Sequence, residues 1–258
     1  MTQSIKDRLY VATFSGDAIK LIKDNKLNIE INDTCISENL DKEKLAATRS
    51  NIRNEILESG AEKVIFHAPF TEVHPAAIDH RIVDAARVRL EEAYALMKDV
   101  GAKRMVVHTG WVPFIYFPVW QVEKSVKFWK EFLADKPEDF YIYIENVLED
   151  EPDMLKEIVK GVADERVKIC LDTGHANAMK KSDDVYRWVE FLGNDIGHFH
   201  LHNNCEDDDN HLAFDEGSID FDKLFDVIDK NCSDDVTFTI EAKDAGACIE
   251  WLKERGYI

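Results

Sequence analysis

The sequence predicts an α/β fold, a single (β/α)8 barrel, and three observations predict it. Eight short runs rich in Val, Ile, Phe and Tyr recur along the 258 residues. Stretches with helical spacing separate them. Six of the runs end, or nearly end, on His, Glu or Asp. Strands that alternate with helices pair in parallel, because each parallel crossover must carry its own long connection. At this length a closed barrel is the natural solution. No Pro/Gly/Ser-rich linker divides the chain, so one domain over 1–258 is expected.

The elements follow in order. The first strand, 9–14 (LYVATF), leads to a helix over 17–25, and the second, 28–32 (NIEIN), to one over 41–59. The third, 63–67 (KVIFH), precedes the longest helical pattern, 80–100. There Ile82, Ala86, Leu90, Tyr94 and Met97 recur at three- and four-residue steps, and Gly101 stops the helix. Strand 104–108 (RMVVH) is followed by helix 120–134, 141–145 (YIYIE) by 151–160, and 167–172 (VKICLD) by 182–192. Strand 196–202 (IGHFHLH) precedes 219–230, and 236–241 (VTFTIE) precedes 244–255. Two connections stand out for length: the aromatic 109–119 (TGWVPFIYFPV) and the polar 203–218 (NNCEDDDNHLAFDEGS).

Bulk properties narrow the function. Acidic residues number 51 against 32 basic ones, a formal charge of −19. Such a field repels a polyanion, whose binding rests on basic contacts and counterion release, so nucleic acid is not the expected partner. No run approaches the ~18 apolar residues of a membrane span, and MTQSIKDRLY lacks the apolar core of a signal peptide. Five scattered cysteines (Cys35, Cys170, Cys205, Cys232, Cys248) form no C-x-x-C pair, which fits a reducing cytoplasm better than a disulfide framework. Nothing in the sequence sets the oligomeric state.

Strand parity then selects the site. On 141–145, Tyr141, Tyr143 and Glu145 share a face; on 196–202, His198, His200 and His202 do; on 236–241, Thr237, Thr239 and Glu241 do. The apolar set faces the helices each time, which turns Glu145, His200 and Glu241 inward at the rim where such barrels carry their sites. Buried carboxylates that converge need a cation to offset their desolvation. Asp172 and His175 in LDTGHA can overhang one site, with Gly174 permitting the turn. Asp209 and His211, two apart in an extended segment, point the same way. With His67 and His108, nine residues from six strands share the rim. A lone strand-end histidine is more often a hydrogen-bonded structural residue; the convergence is what argues for metal. Imidazole and carboxylate without thiolate suit Zn, Mn, Co or Fe, with Zn or Mn foremost. His198 is assigned to the lower interior, His74 to a loop and His80 to a helix start. His202 is left between substrate contact and support behind the ligands. Glu30 is read as a surface or supporting group.

The chain resembles the xylose-isomerase-like TIM-barrel superfamily, which includes sugar-phosphate isomerases, epimerases and abasic-site endonucleases of the endonuclease IV type. The similarity covers nearly the whole chain. FHAPF at 66–70, VVHTG at 106–110, IEN at 144–146, LDTGHA at 171–176, HFHLHNN at 198–204, DNHLAFDEGSIDF at 209–221 and TIEAK at 239–243 carry it. The isomerase branch implies one divalent metal on Glu145, Asp172, His200 and Glu241, with Glu145 and Glu241 moving the proton and His175 holding a substrate oxygen. The endonuclease branch implies up to three ions, with His67, His108, His175, Asp209 and His211 as further ligands. The expected activity is therefore metal-dependent isomerisation or epimerisation of a small sugar or sugar phosphate through an enediolate. His175, His202 and Trp111 are expected at the substrate, and the Trp111–Trp120 loop is expected to cover it. The alternative is a zinc phosphoesterase of the abasic-site endonuclease type. A non-enzymatic barrel with a purely structural metal is the third reading. The acidic field places the isomerase first.

Overall fold

The computed structural model describes residues 4–180, 184–206 and 208–258. Eight parallel strands close on themselves in sequence order, each paired with its neighbours and β8 with β1. They are β1 (Leu9–Ala12), β2 (Asn28–Ile31), β3 (Val64–His67), β4 (Arg104–His108), β5 (Tyr141–Glu145), β6 (Val167–Asp172), β7 (Ile196–Leu201) and β8 (Thr237–Ile240). The helices are α1 (Ala18–Asn25), α2 (Leu45–Ser59), α3 (His80–Asp99), α4 (Pro118–Leu133), α5 (Asp153–Val162), α6 (Thr173–Met179), α7 (Val185–Leu192), α8 (Phe221–Asn231) and α9 (Ala245–Glu254). Closure removes every open sheet edge. The strands start and stop within two residues of the expected spans. Positions 182 and 183 of the expected helix 182–192, and position 207 of the expected loop 203–218, lie outside the described residues.

Register sorts the side chains as parity requires. His67 pairs with Val106, His108 with Glu145, Asp172 with His200, and His200 with Thr239. All of these face the interior. The alternate positions, such as Ile142, Ile144, Phe199, Leu201, Phe238 and Ile240, join the helices in one continuous apolar core. Each such side chain contributes about 1.5–3 kcal/mol by leaving water. A separate, smaller cluster of Tyr10, Ile65, Val106, Tyr143 and Cys170 fills the lower interior.

One element was not expected. α6 begins directly at the end of β6, where the sequence suggested only a turn. The Asp172 side chain caps it, accepting the His175 N–H at 2.6 Å. Gly174 therefore lies inside this helix rather than serving a turn, and its φ is not in the left-handed region. Its missing side chain matters for another reason: a Cβ there would sit 1.9 Å from Cε1 of His202. The segment carrying Asp209 and His211 also differs from the expected extended form. His211 has φ 51°, and a bridge between Asn203 and Leu212 folds the connection back on itself. The Asn203 side chain fastens that fold through the Phe214 and Ile219 carbonyls and the Ile219 N–H.

Candidate metal centre

Glu145, the last residue of β5, is the hub of the rim. Its Oε2 lies 3.2 Å from Nε2 of both His67 and His108. Its Oε1 lies 3.2 Å from His200 Nδ1 and 3.5 Å from His175 Nδ1. Glu241 and Asp172 approach the same His200 Nδ1 at 3.3 and 3.9 Å. Asp209 Oδ2 stands 3.3 Å from His175 Nε2 and 3.2 Å from His211 Nε2. All nine residues expected at the rim are thus gathered. With His202 they fall into three groups whose ligand atoms lie within 4.8 Å of one another, the first two sharing Glu145: Glu145–Asp172–His200–Glu241, His67–His108–Glu145, and His175–His202–Asp209–His211; Glu30–His67–His200–Glu241 and Cys170–His198–His200 cluster as closely. Ligands held at about 2.0–2.2 Å from a divalent ion fall within that spread.

The orientation of the imidazoles tests whether a cation fits. His67, His175 and His211 each direct Nδ1 at a main-chain carbonyl, those of Ala68 (2.9 Å), Asn146 (2.9 Å) and Glu241 (2.7 Å). A carbonyl only accepts, so Nδ1 carries the hydrogen and Nε2 turns its lone pair into the mouth. His200 is reversed: Nε2 donates to Glu30 at 3.1 Å, and the buried Nδ1 has no hydrogen-bond partner among three carboxylates. Lone pairs facing carboxylate oxygens repel unless a proton or a cation lies between them. Histidines anchored in this way by the nitrogen that faces outward are the usual arrangement behind a metal. The donor set fits a divalent ion.

Electrostatics agree. Burial disfavours the charged form of Glu145, yet His200 and His108 overcome it and hold the carboxyl well below its usual range. Burial likewise opposes protonation of His200, and Cys170, Glu241, Glu30 and Glu145 outweigh it. Glu241 goes the other way. Burial, reinforced by Glu145, Glu30 and Asp172 against the pull of His200, pushes it up to about 7. Without a cation, protonation of His200 and His175 is what offsets the buried carboxylates.

Above the groups opens a cavity of about 480 Å³. His67, His108, Glu145, His175, Asp209, His211 and Glu241 reach it, with Asn32, Cys35 and the apolar Phe14, Ile36, Phe70 and Val147. Phe70 stacks on His108 at 4.4 Å. Asp172 and His200 stay fully buried behind this surface.

Two residues expected at the substrate, one of them left open between contact and support, do not line the cavity. His202 is fully buried, bonds Asp172 through Nε2 at 3.0 Å and stacks on His211 at 3.9 Å. It supports ligands and does not line the cavity. Trp111 packs against the core and donates its indole N–H to the Tyr116 carbonyl at 3.0 Å. No residue of 109–119 lines the cavity, and the apolar wall comes from the loops after β1, β2, β3 and β5 instead. His198 lies in the lower interior as expected, between Thr237 and Thr239.

Sequence reasoning undervalued Glu30 and missed Glu149. Glu30 is fully buried beneath His200, and its parity with Asn28 in NIEIN was the available signal. Glu149 is buried where the loops after β4 and β5 meet. It accepts from Thr109 Oγ1 and from the Val147 N–H at 2.7 Å, tying them together. Nothing in its local sequence marked it.

Known proteins share this fold. The uncharacterized protein MJ1311 of Methanocaldococcus jannaschii is 31% identical over 212 residues, covering 74% of this chain and 69% of that one. A D-tagatose 3-epimerase-like protein superposes with a TM-score of 0.73 at 23% identity, covering 96% of both chains. A second solved structure, a Thermus thermophilus protein soaked with ZnCl2, superposes with a TM-score of 0.75 at 18% identity, covering 96% of this chain and 97% of that one. Sugar 3-epimerases recur among the solved structures that share the fold. Residues 13–255 match the family described as xylose isomerase-like TIM barrel, and the chain belongs to that family.

Proposed function

We propose that this protein is a divalent-metal-dependent isomerase or epimerase of a small sugar. The observation that carries the reading is the pair Glu145 and Glu241. Both reach the cavity, both approach His200 Nδ1, and they come from different strands, β5 and the end of β8. Two carboxyls at one reacting carbon can remove a C–H proton and return it, one as base and the other as acid. Glu145, Asp172, His200 and Glu241 would hold the ion, which when bound supplies Lewis-acid polarisation of the substrate oxygens. His175 and His211 offer polar contacts to hydroxyls at the mouth. Phe14, Ile36, Phe70 and Val147 give the C–H face of a sugar an apolar wall and exclude water. Among the described residues that line the cavity there is no Lys or Arg. That favours an uncharged sugar over a sugar phosphate, whose dianion would meet a −19 chain with no side-chain cation. No helix among the described residues is long and apolar enough to cross a membrane.

The test is C–H exchange. Metal-loaded protein in D2O is offered a panel of free ketoses and aldoses and their phosphates. Metal-dependent deuterium incorporation into a free sugar is expected; none across the panel sinks the reading.

A second reading is favoured by one specific observation. With His202, the nine donors form three groups, two of which share Glu145, which suits a multinuclear centre more than a single ion. Clustered divalent ions bind phosphate oxygens and activate water, so phosphoester hydrolysis is its chemistry. Metal analysis separates the two: one ion per chain supports the isomerase, three the hydrolase.

A further inference from the structure

Resting on the metal reading above, we propose that Glu30 is a positioning residue that makes the Glu145–Asp172–His200–Glu241 group the tightest cation site of the rim. The proposed reaction gives Glu30 no step. It faces the barrel interior from β2, beneath the rim, and it is fully buried.

The case begins with a contrast among the imidazoles. His67, His175 and His211 are each anchored through Nδ1 by a neutral main-chain carbonyl and present Nε2. His200 is anchored through Nε2, at 3.1 Å, by the Glu30 carboxylate, and so presents Nδ1. Glu30 cannot swing away, because its other oxygen accepts from Thr239 Oγ1 and faces His198 Nε2 at 3.3 Å. A charged acceptor on one imidazole nitrogen fixes the tautomer and makes the opposite nitrogen a stronger donor than a carbonyl does. The best imidazole donor of the rim therefore sits in the one group that also has three carboxylates. Glu30–His67–His200–Glu241 is equally close and has two, but Glu30 is already engaged by His200, Thr239 and His198; His67–His108–Glu145 and His175–His202–Asp209–His211 have one each. Basicity and Coulomb attraction rank the sites in the same order.

The experiment is a titration of metal-free protein with Zn(II) against a competing chromophoric chelator. The parent chain, Glu30→Gln and His198→Gln are compared. Glutamine keeps an oxygen for His200 Nε2–H and removes the charge. The tightest binding event of Glu30→Gln is expected to weaken by about 10- to 100-fold, while any weaker events stay in place. His198→Gln still offers an N–H to the Glu30 oxygen that Thr239 holds, so the Glu30–His200 bond is retained and the parent's tightest event is expected to stay. At a pH high enough to leave His200 neutral, imidazole 15N resonances of the metal-free parent should place its hydrogen on Nε2, and Glu30→Gln should mix the tautomers. An unchanged first event in Glu30→Gln overturns the inference alone, as does an equal loss from all events. No zinc bound by the parent chain overturns the metal reading and this inference with it. If Glu30→Gln does not fold by circular dichroism, Glu30→Asp, which withdraws the carboxylate by one methylene, is read in the same way.

Discussion

Along β5, Tyr143 and Glu145 face the same interior two residues apart, and their surroundings are opposites. Around Tyr143 lie Tyr10, Ile65, Val106 and Cys170, with the His198 ring stacked at 5.4 Å. Around Glu145 lie His67, His108, His175 and His200. The lower layer is held by packing: burial, as the largest cause, pushes the Tyr10 hydroxyl up to about 12, and no carboxylate belongs to this cluster. The rim satisfies itself by charge and leaves His200 Nδ1 without a hydrogen-bond partner. One strand thus holds stability at one position and the proposed chemistry at the next inward one. A mutation that moves both properties together would break that division.

The largest effect is expected at the rim. Glu241→Gln keeps the shape and removes a carboxyl proposed as acid or base, so metal-dependent exchange should fall by about 10²- to 10⁴-fold. The metal-free variant should unfold at a urea concentration no lower than the parent's, because it has one fewer buried carboxylate. A loss of stability that matches the loss of exchange would make the rim structural. Next comes the lower layer. Tyr143→Ala deletes a buried aromatic and should cost about 3–5 kcal/mol in urea denaturation. Metal stoichiometry of the folded fraction should not change. If zinc is lost as readily as stability, the two layers are one unit.

How far the residues alone foretold this follows from the same division. Parity in a strand is a strict period of two, so the inward set at the rim could be read from VIFH, VVH, YIYIE and TFTIE with no coordinates. What parity cannot supply is direction beyond the strand end. Trp111 was expected over the substrate because aromatic composition says nothing of where an indole N–H finds its acceptor, here Tyr116. α6 escaped notice because Thr, Gly and Asn are weak helix formers, and because its cap, Asp172, was already assigned to the metal. Glu30 escaped because one glutamate among so many acidic residues carries no local sign of burial. Its partners His200 and Thr239 lie far along the chain.

Gly174 sharpens the boundary between packing and chemistry, since it is a core-like constraint inside the rim. A Cβ there meets His202 at 1.9 Å, and His202 is boxed between Asp172 and His211. Gly174→Ala is therefore an overpacking substitution expected to cost about 1–3 kcal/mol. It should also weaken zinc binding, because the ring that must move holds Asp172. Zinc affinity equal to the parent's would show that His202 can yield without disturbing the ligand.

The smallest effect tests the role of imidazole by looking where none is present. Glu55 on α2 and Asp33 share the Asn51 amide, which donates to Asp33 Oδ1 at 2.6 Å and to Glu55 Oε1 at 3.3 Å. Burial first, and then the Asp33 charge, raise the Glu55 carboxyl to about 8. A carboxyl whose folded pKa exceeds its unfolded value binds its proton more tightly when folded. The stability it contributes is present below the unfolded value, near 4.5, and is lost as pH rises through about 8. Glu55→Gln removes that dependence. The variant and parent should unfold alike near pH 4, and the variant should be the more stable at pH 9. Because Glu55 is only partly buried, solvent screening holds the gain to about 1 kcal/mol or less. Urea midpoints across pH 4–9 measure it. A difference that stays flat with pH would mean that Glu55 ionises as freely as an exposed carboxylate, and that crowded carboxylates in this fold need no imidazole to keep them charged.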